Sequence, residues 1–256
     1  LELTSAVVLG SGTKTLYAVT NDGSSSTLYT VNTSSYALTS KGDMALTPFG
    51  LAPIASSGTL AYPYGPYLII ASASNPGSYT GYKDVSSTLG DDVYLAGIAA
   101  RTLGSSYFIL DESGKIWTIS YSRGSFGTPS LYLDTGISTS MLYQSLYYDG
   151  TYLYWAHYAD NATTLYIINS SKTIYNAGDF GDGVWPVGGL YVNGSVAPAF
   201  VDDEIMDEED AAEVSVSIPQ ADIDRVNARI AAEYAKVAAE SASGAGEEAA
   251  EAEPVP

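Results

Sequence analysis

Asp179-Phe180-Gly181-Asp182-Gly183 is a glycine-spaced acidic loop. With Asn176 nearby, it offers the oxygen ligands that Ca²⁺ takes. Asp179 and Asp182 are therefore the candidate metal ligands, and Ca²⁺ is the only cofactor suggested. The full ligand spacing of an EF-hand is missing, so an ordinary turn competes with this reading. Carboxylate pairs occur at Asp91 with Asp92, Asp111 with Glu112, and Asp179 with Asp182. A glycosidase needs two carboxylates facing each other across a cleft. Neighbours along a strand do not supply that, because alternate residues face opposite sides. The only histidine, His157, lies in the aromatic run YLYWAHYAD. It reads as a packed or rim residue, with no Ser–His–Asp order around it. No catalytic residue is expected, and the chain reads as a non-enzyme.

Aromatic residues give the other candidate chemistry. Tyr62-Pro63-Tyr64-Gly65-Pro66-Tyr67 contains two prolines, which cannot donate ladder hydrogen bonds, so the stretch reads as an edge or loop. Three tyrosines on a stiff exposed loop would make a stacking platform for a sugar or a peptide. Tyr62, Tyr64, Tyr67, Trp117 and Trp155 are the candidate ligand-binding residues. A rigid inter-strand loop covering the end of a sheet is the competing reading.

These residues must be positioned by strands. Thr151–Gly181 reads as three short strands separated by turns, and the pattern recurs. Lys14–Asp43 has TLYAVTNDG, STLYTVN and YALTSKGD, and Ser106–Gly136 has YFILDESG, KIWTISY and SLYLDTG. Tyr29, Trp117 and Tyr166 align as one site, 88 and 49 residues apart, leaving room for another copy between the first two. Pro66–Tyr94 fits there as PYLIIASAS, GSYTGYKDV and STLGDDVY. First strands are expected at Ser5–Leu9, Leu51–Ala55, Val93–Ala100 and Met141–Tyr148. Gly181–Phe200 begins a fifth unit. Repeats of roughly 40–50 residues built from four short strands are what β-propeller blades look like. The fold class expected is all-β: a propeller or propeller-like array of about four four-stranded blades plus a partial fifth, then an acidic linker and a C-terminal helix.

The domains expected are the β-repeat body at 1–200, an acidic linker at 201–219 with a short strand at Glu213–Ile218, a helix at 220–240, and a disordered tail at 241–256. Ile223, Val226, Ile230, Tyr234 and Val237 recur at spacings of 3, 4, 4 and 3, one apolar stripe on a helix. The stripe would dock on the body, pair with a partner helix, or be marginal alone.

The formal charge of −19 is uneven. Residues 1–200 hold 13 acidic and 7 basic side chains, and residues 201–256 hold 16 and 3. This disfavours nucleic acid, whose phosphates need Lys and Arg, and likewise an anionic membrane surface. No apolar run is long enough to span a bilayer. The absence of Cys excludes disulfides, thiol catalysis and Cys-ligated zinc. Of 22 tyrosines, 21 precede residue 200, and Tyr and Thr suit a pleated, half-exposed surface. Four Asn-x-Ser/Thr sequons, at Asn32, Asn161, Asn169 and Asn193, fall within what a Ser/Thr-rich chain produces by chance. The chain begins at Leu1 without Met, which reads as a piece of a longer or processed protein.

LYAVTNDG…STLYTVN…ALTSKGD and TTLYIINSSKTIYNAGDFG resemble the repeats of bacterial extracellular β-propellers over residues 5–200. Asp111-Glu112-Ser113-Gly114-Lys115-Ile116-Trp117 also resembles the Asp box of some propellers, one residue too long, whose role is structural. The resemblance implies a fold and a secreted or cell-surface location, and no activity. The function expected is a non-catalytic module for adhesion, binding of a glycan or protein ligand, or structural spacing. The alternatives are a carbohydrate-active propeller enzyme using paired carboxylates, or a subunit of a large extracellular assembly docked through the C-terminal helix.

Overall fold

The computed structural model describes residues 2–9, 15–21, 25–32, 34–54, 58–160, 162–182 and 217–248, with the backbone alone for 2–9, 181–182 and 240–248. Its strands are short, Tyr- and Thr-rich, and joined by hairpins, so consecutive strands pair antiparallel into four meandering sheets. The first blade is β1 (Glu2–Leu9), β2 (Thr15–Asn21), β3 (Ser26–Val31) and β4 (Leu38–Asp43). The second is β5 (Ala52–Pro53), β6 (Thr59–Tyr64), β7 (Tyr67–Ser72) and β8 (Asn75–Asp84). A short helix, α1 (Ser86–Leu89), leads to the third blade: β9 (Leu95–Thr102), β10 (Ser106–Asp111), β11 (Lys115–Ser122), β12 (Ser125–Phe126) and β13 (Ser130–Asp134). The fourth is β14 (Ser145–Tyr148), β15 (Leu153–Ala159), β16 (Ala162–Ile168) and β17 (Ile174–Asp182). The innermost strands meet in series, β1 against β5, β5 against β9 and β9 against β14. This is a four-bladed β-propeller arrangement.

The repeat alignment holds at its key positions. Tyr29, Trp117 and Tyr166 all lie on the third strand of their blade, opposite Ala18, Ile109 and Trp155. The second blade departs from expectation by one strand. PYLIIASAS forms the third strand rather than the second, GSYTGYKDV lies on the outermost strand, and STLGDDVY holds α1 and the crossing to the third blade. The missed strand is β6, read as a loop because of Pro63. That proline is tolerated for a local reason. β5 pairs only with Leu60 and Ala61, so it stops short of Pro63, whose carbonyl accepts from Phe49 N instead (3.1 Å). The ring position that lacks an N–H faces no ladder partner.

Two apolar clusters hold the blades. Ala61, Leu68, Ile70, Ile98, Tyr107, Ile109 and Phe126 fill the seam between the second and third blades. The larger cluster runs from Val19 and Leu28 through Tyr62, Ile69, Phe108 and Trp155 and takes in the C-terminal helix. That helix, α2, spans Gln220–Glu248. It starts at Pro219, whose carbonyl accepts from Asp222 and Ile223 N–H. It runs past the 220–240 expected, into the segment read as disordered. The fifth unit, the acidic run and most of the Glu213–Ile218 strand lie outside the described residues. No described helix is long and apolar enough to cross a membrane.

Candidate functional site

Chain direction decides which loops share an end of the ring. In a four-stranded meander, the hairpin between strands two and three and the crossing to the next blade emerge on the same side. That side holds Asn21 at the end of β2, the β6–β7 hairpin, Asp92–Tyr94 before β9, Glu112 after β10, and Tyr143 before β14. Each of these touches α2. The helix therefore lies across one face of the propeller and contacts all four blades.

The expected exposed tyrosine loop is a buried hairpin beneath this helix. Gly65, at φ +57°, makes the two-residue turn that pairs Tyr64 with Tyr67. Its missing side chain also lets the helix approach, since a Cβ there would lie 2.6 Å from Val226 Cγ2. Tyr62 and Tyr64 are fully buried and Tyr67 nearly so. The Tyr64 hydroxyl donates to Asn227 Oδ1 (2.9 Å) and lies 3.1 Å from the Ile223 carbonyl. Tyr67 donates to Asp222 Oδ2 (3.0 Å). Tyr79 accepts from Ile218 N (3.0 Å). Burial pushes the Tyr62, Tyr64 and Tyr67 phenols up, so they remain neutral at any ordinary pH. The Tyr62 hydroxyl is buried with no hydrogen-bond partner, as is Ser26 Oγ.

Arg229 anchors the helix to the third blade. Its guanidinium pairs with Glu112 Oε2 (2.6 Å), donates to the Asp92 carbonyl (3.0 Å), and lies 4.3 Å from the centre of the Tyr94 ring. Glu112 also accepts from Tyr94 N (3.1 Å). Burial raises the Glu112 carboxyl above its ordinary range, against the pull of the Tyr94 N–H and of Arg229. Farther along, Tyr234 joins the two ends of the series. Its hydroxyl accepts from Asn21 Nδ2 on the first blade (2.9 Å), and its ring packs edge-on to Tyr143 before the fourth (5.9 Å). Each blade is made of consecutive strands, so among the described residues no strand is shared between first and last. Tyr234 is a clasp between them. Beside it, Pro48, Phe49, Ala96, Met141 and Gln144 line a cavity of roughly one water's size.

The Ile223, Val226, Ile230, Tyr234 and Val237 stripe is what faces the blades. Val226, Ile230 and Val237 are buried, and Ile223 and Tyr234 pack against the same cluster. Burying each of the three aliphatic side chains stabilises the docked helix by about 1.5–3 kcal/mol.

The other singled-out residues lie apart. Trp117 donates its indole N–H to Asp111 Oδ2 (2.8 Å), while Asp111 Oδ1 accepts from Ser113 N (2.9 Å) and Lys115 N (3.0 Å). This is a working Asp-box-like turn despite its extra residue. Gly114 accommodates it at φ +78°, where a Cβ would collide with the Ile137 carbonyl. Trp155 is fully buried and donates to Gln144 Oε1 (2.9 Å). His157 packs between Trp155 and Tyr166, and its Nε2 lies 3.2 Å from the Ser138 carbonyl. Burial lowers its pKa, which keeps it neutral. Asp179 lies exposed on β17 and accepts from Thr164 Oγ1 (2.5 Å). The Asp182 side chain lies outside the described residues. Among the described residues, no three His, Asp or Glu side chains gather as a metal site.

Glu112, Arg229 and Tyr234 were not singled out as a joint feature from sequence. One signal was available. The three basic residues after position 200 are Arg225, Arg229 and Lys236, all on the helix, and Arg229 adjoins the stripe.

No family model and no curated protein matches the chain. Among solved structures, a protein of unknown function from Bacteroides thetaiotaomicron aligns at TM-score 0.46 and 13% identity, over 68% of this chain and 42% of that one. A nidogen/laminin complex chain aligns at 0.45 and 16%, over 64% and 62%. A subtype N11 neuraminidase-like protein of A/flat-faced bat/Peru aligns at 0.38 and 10%, over 67% and 51%. The chain thus spans less than two thirds of each. The propeller assignment stands on this chain's own strand order.

Proposed function

We propose that this chain is a non-catalytic propeller module of a secreted or cell-surface bacterial protein, working by ligand binding or structural spacing. The observation that carries the reading is the closure of one face by α2, with its polar groups engaged in holding the ring. Tyr64 is engaged with the Asn227 amide and Trp155 with the Gln144 amide. Asp111 is engaged in its turn, Glu112 in the helix anchor, and His157 in packing. The Cys-free, Ser/Thr/Tyr-rich composition supports an extracellular setting.

The test is turnover of a panel of aryl glycosides by the whole chain and by Glu112→Gln and Asp111→Asn variants. No turnover above buffer is expected from any of the three. Hydrolysis by the parent that either variant abolishes would overturn the reading in favour of an enzyme. Localisation is tested separately, by surface biotinylation of the producing cell.

A further inference from the structure

The end of the ring opposite α2 carries a second group of tyrosines. β14 leaves the helix face at Tyr143 and ends at Tyr148, so the β14–β15 turn lies at the far end. Tyr147 and Tyr154 are paired across these strands, with ring centres 6.2 Å apart. Tyr152 follows at 6.4 Å from Tyr154 and is 40% exposed. Tyr147 and Tyr154 are half-buried. The turn that holds them is stiff. Asp149 Oδ1 accepts from Thr151 N and Tyr152 N, both at 2.7 Å, and Oδ2 accepts from the Tyr154 hydroxyl (2.9 Å). Gly150 stands at φ +97°, and its carbonyl accepts from the Tyr148 hydroxyl (2.9 Å).

The electrostatics suit a neutral polyhydroxyl ligand. Burial pushes the Asp149 carboxyl up, but the Tyr152 and Thr151 N–H groups and the Tyr154 hydroxyl outweigh it and hold the group below its ordinary range. It is ionised at any physiological pH. A carboxylate has about four lone-pair sites. Two of the turn's bonds fall on Oδ1 and one on Oδ2, so Oδ2 is the oxygen to which an incoming hydroxyl would donate. The Tyr154 phenol, pushed up to about 12, remains a neutral donor. A rigid anion here repels phosphates and sulfates. Tyrosine rings offer broad amphipathic area at low entropy cost, and the C–H face of a pyranose fits such rings.

Resting on the ligand-binding half of the function proposed above, we infer that the Tyr147–Tyr152–Tyr154 group with Asp149 is a binding site for uncharged pyranose oligosaccharides. The ring faces hold the sugar plane, and Asp149 Oδ2 accepts from a sugar hydroxyl.

The experiment applies the full chain to immobilised neutral oligosaccharides, among them hexamers of β-1,4-linked glucose and of N-acetylglucosamine. Any retained sugar is then titrated in solution. Tyr152→Ala, an exposed position, should weaken affinity at least tenfold with a melting temperature near the parent's, and Asp149→Asn should weaken it about threefold or more. Tyr64→Phe, on the helix face, should leave affinity unchanged. Retention of no saccharide by the parent overturns both the site and the glycan reading, leaving spacing as the function. Retention that Tyr152→Ala and Asp149→Asn leave intact overturns this site while the binding reading stands. Retention of peptides alone on the same surface also overturns it.

Discussion

The chain holds two tyrosine groups of similar sequence character and opposite fate. Tyr62, Tyr64 and Tyr67 in the second blade lie beneath α2, with two of their hydroxyls spent on the helix. Tyr147, Tyr152 and Tyr154 in the fourth blade lie at the end opposite α2, fixed by Asp149. Both are set on two-strand hairpins. What separates them is which end of the ring the hairpin emerges from. In a propeller, a tyrosine's role follows from strand parity and from what covers that end.

The largest expected effect comes from charging the covered end. Val226→Asp places an unpaired carboxylate against Gly65 and the buried stripe. It should destabilise the docked helix by about 3–5 kcal/mol, read as protease cleavage within α2 of the full chain. Intact α2 in that variant would mean the covered face is not what holds the helix.

Next is the turn of the third blade. Asp111→Ala strips acceptors from the Ser113 and Lys115 N–H groups and from the Trp117 indole. A loss of about 2–3 kcal/mol is expected in denaturant unfolding. Arg229→Ala leaves Glu112 beneath the helix without its cation. Because the guanidinium is partly exposed, the loss should be about 1–3 kcal/mol, again by denaturant titration.

Two phenylalanine substitutions sharpen the contrast within the covered group. Tyr64→Phe removes a hydroxyl that serves Asn227 and should cost about 1 kcal/mol. Tyr62→Phe removes a buried hydroxyl with no partner and should be neutral or stabilising. Equal losses in the two would contradict the assigned bonding.

The smallest effect is in pH. The folded-state pKa of Glu112 is raised, so the folded chain binds its proton more tightly than the unfolded chain. Its contribution is fully present below the ordinary carboxylate value and is lost as pH rises through the raised one. Glu112→Gln should therefore flatten the fall in melting temperature across that window. An unchanged slope would place the dependence elsewhere, in the acidic surplus of the chain.

Much of the fold was legible. Tyr29, Trp117 and Tyr166 marked third strands because cross-strand packing repeats the same demand in each blade. The α2 stripe was legible because helical period alone reveals a buried face. What that face touches was not, since periodicity names no partner. β6 was missed because Pro63 breaks the local rule at a point where the inner strand has already ended. The exposure expected at Tyr64 failed for the same reason the stripe's destination was hidden, as each covers the other across 159 residues of sequence. The Asp111 turn was recognised and its structural role anticipated, and this places Trp117 in the turn's hydrogen bonding.

Ring closure by α2 is tested most directly by hydrogen exchange on the full chain. If the helix clasps first and last blades, amides around Val226, Ile230 and Tyr234 are protected to the same degree as those of β10 and β15, and Tyr234→Ala lowers protection in β2 and β14 together. Exchange of the helix amides at free-peptide rates, while the blade strands stay protected, would contradict it.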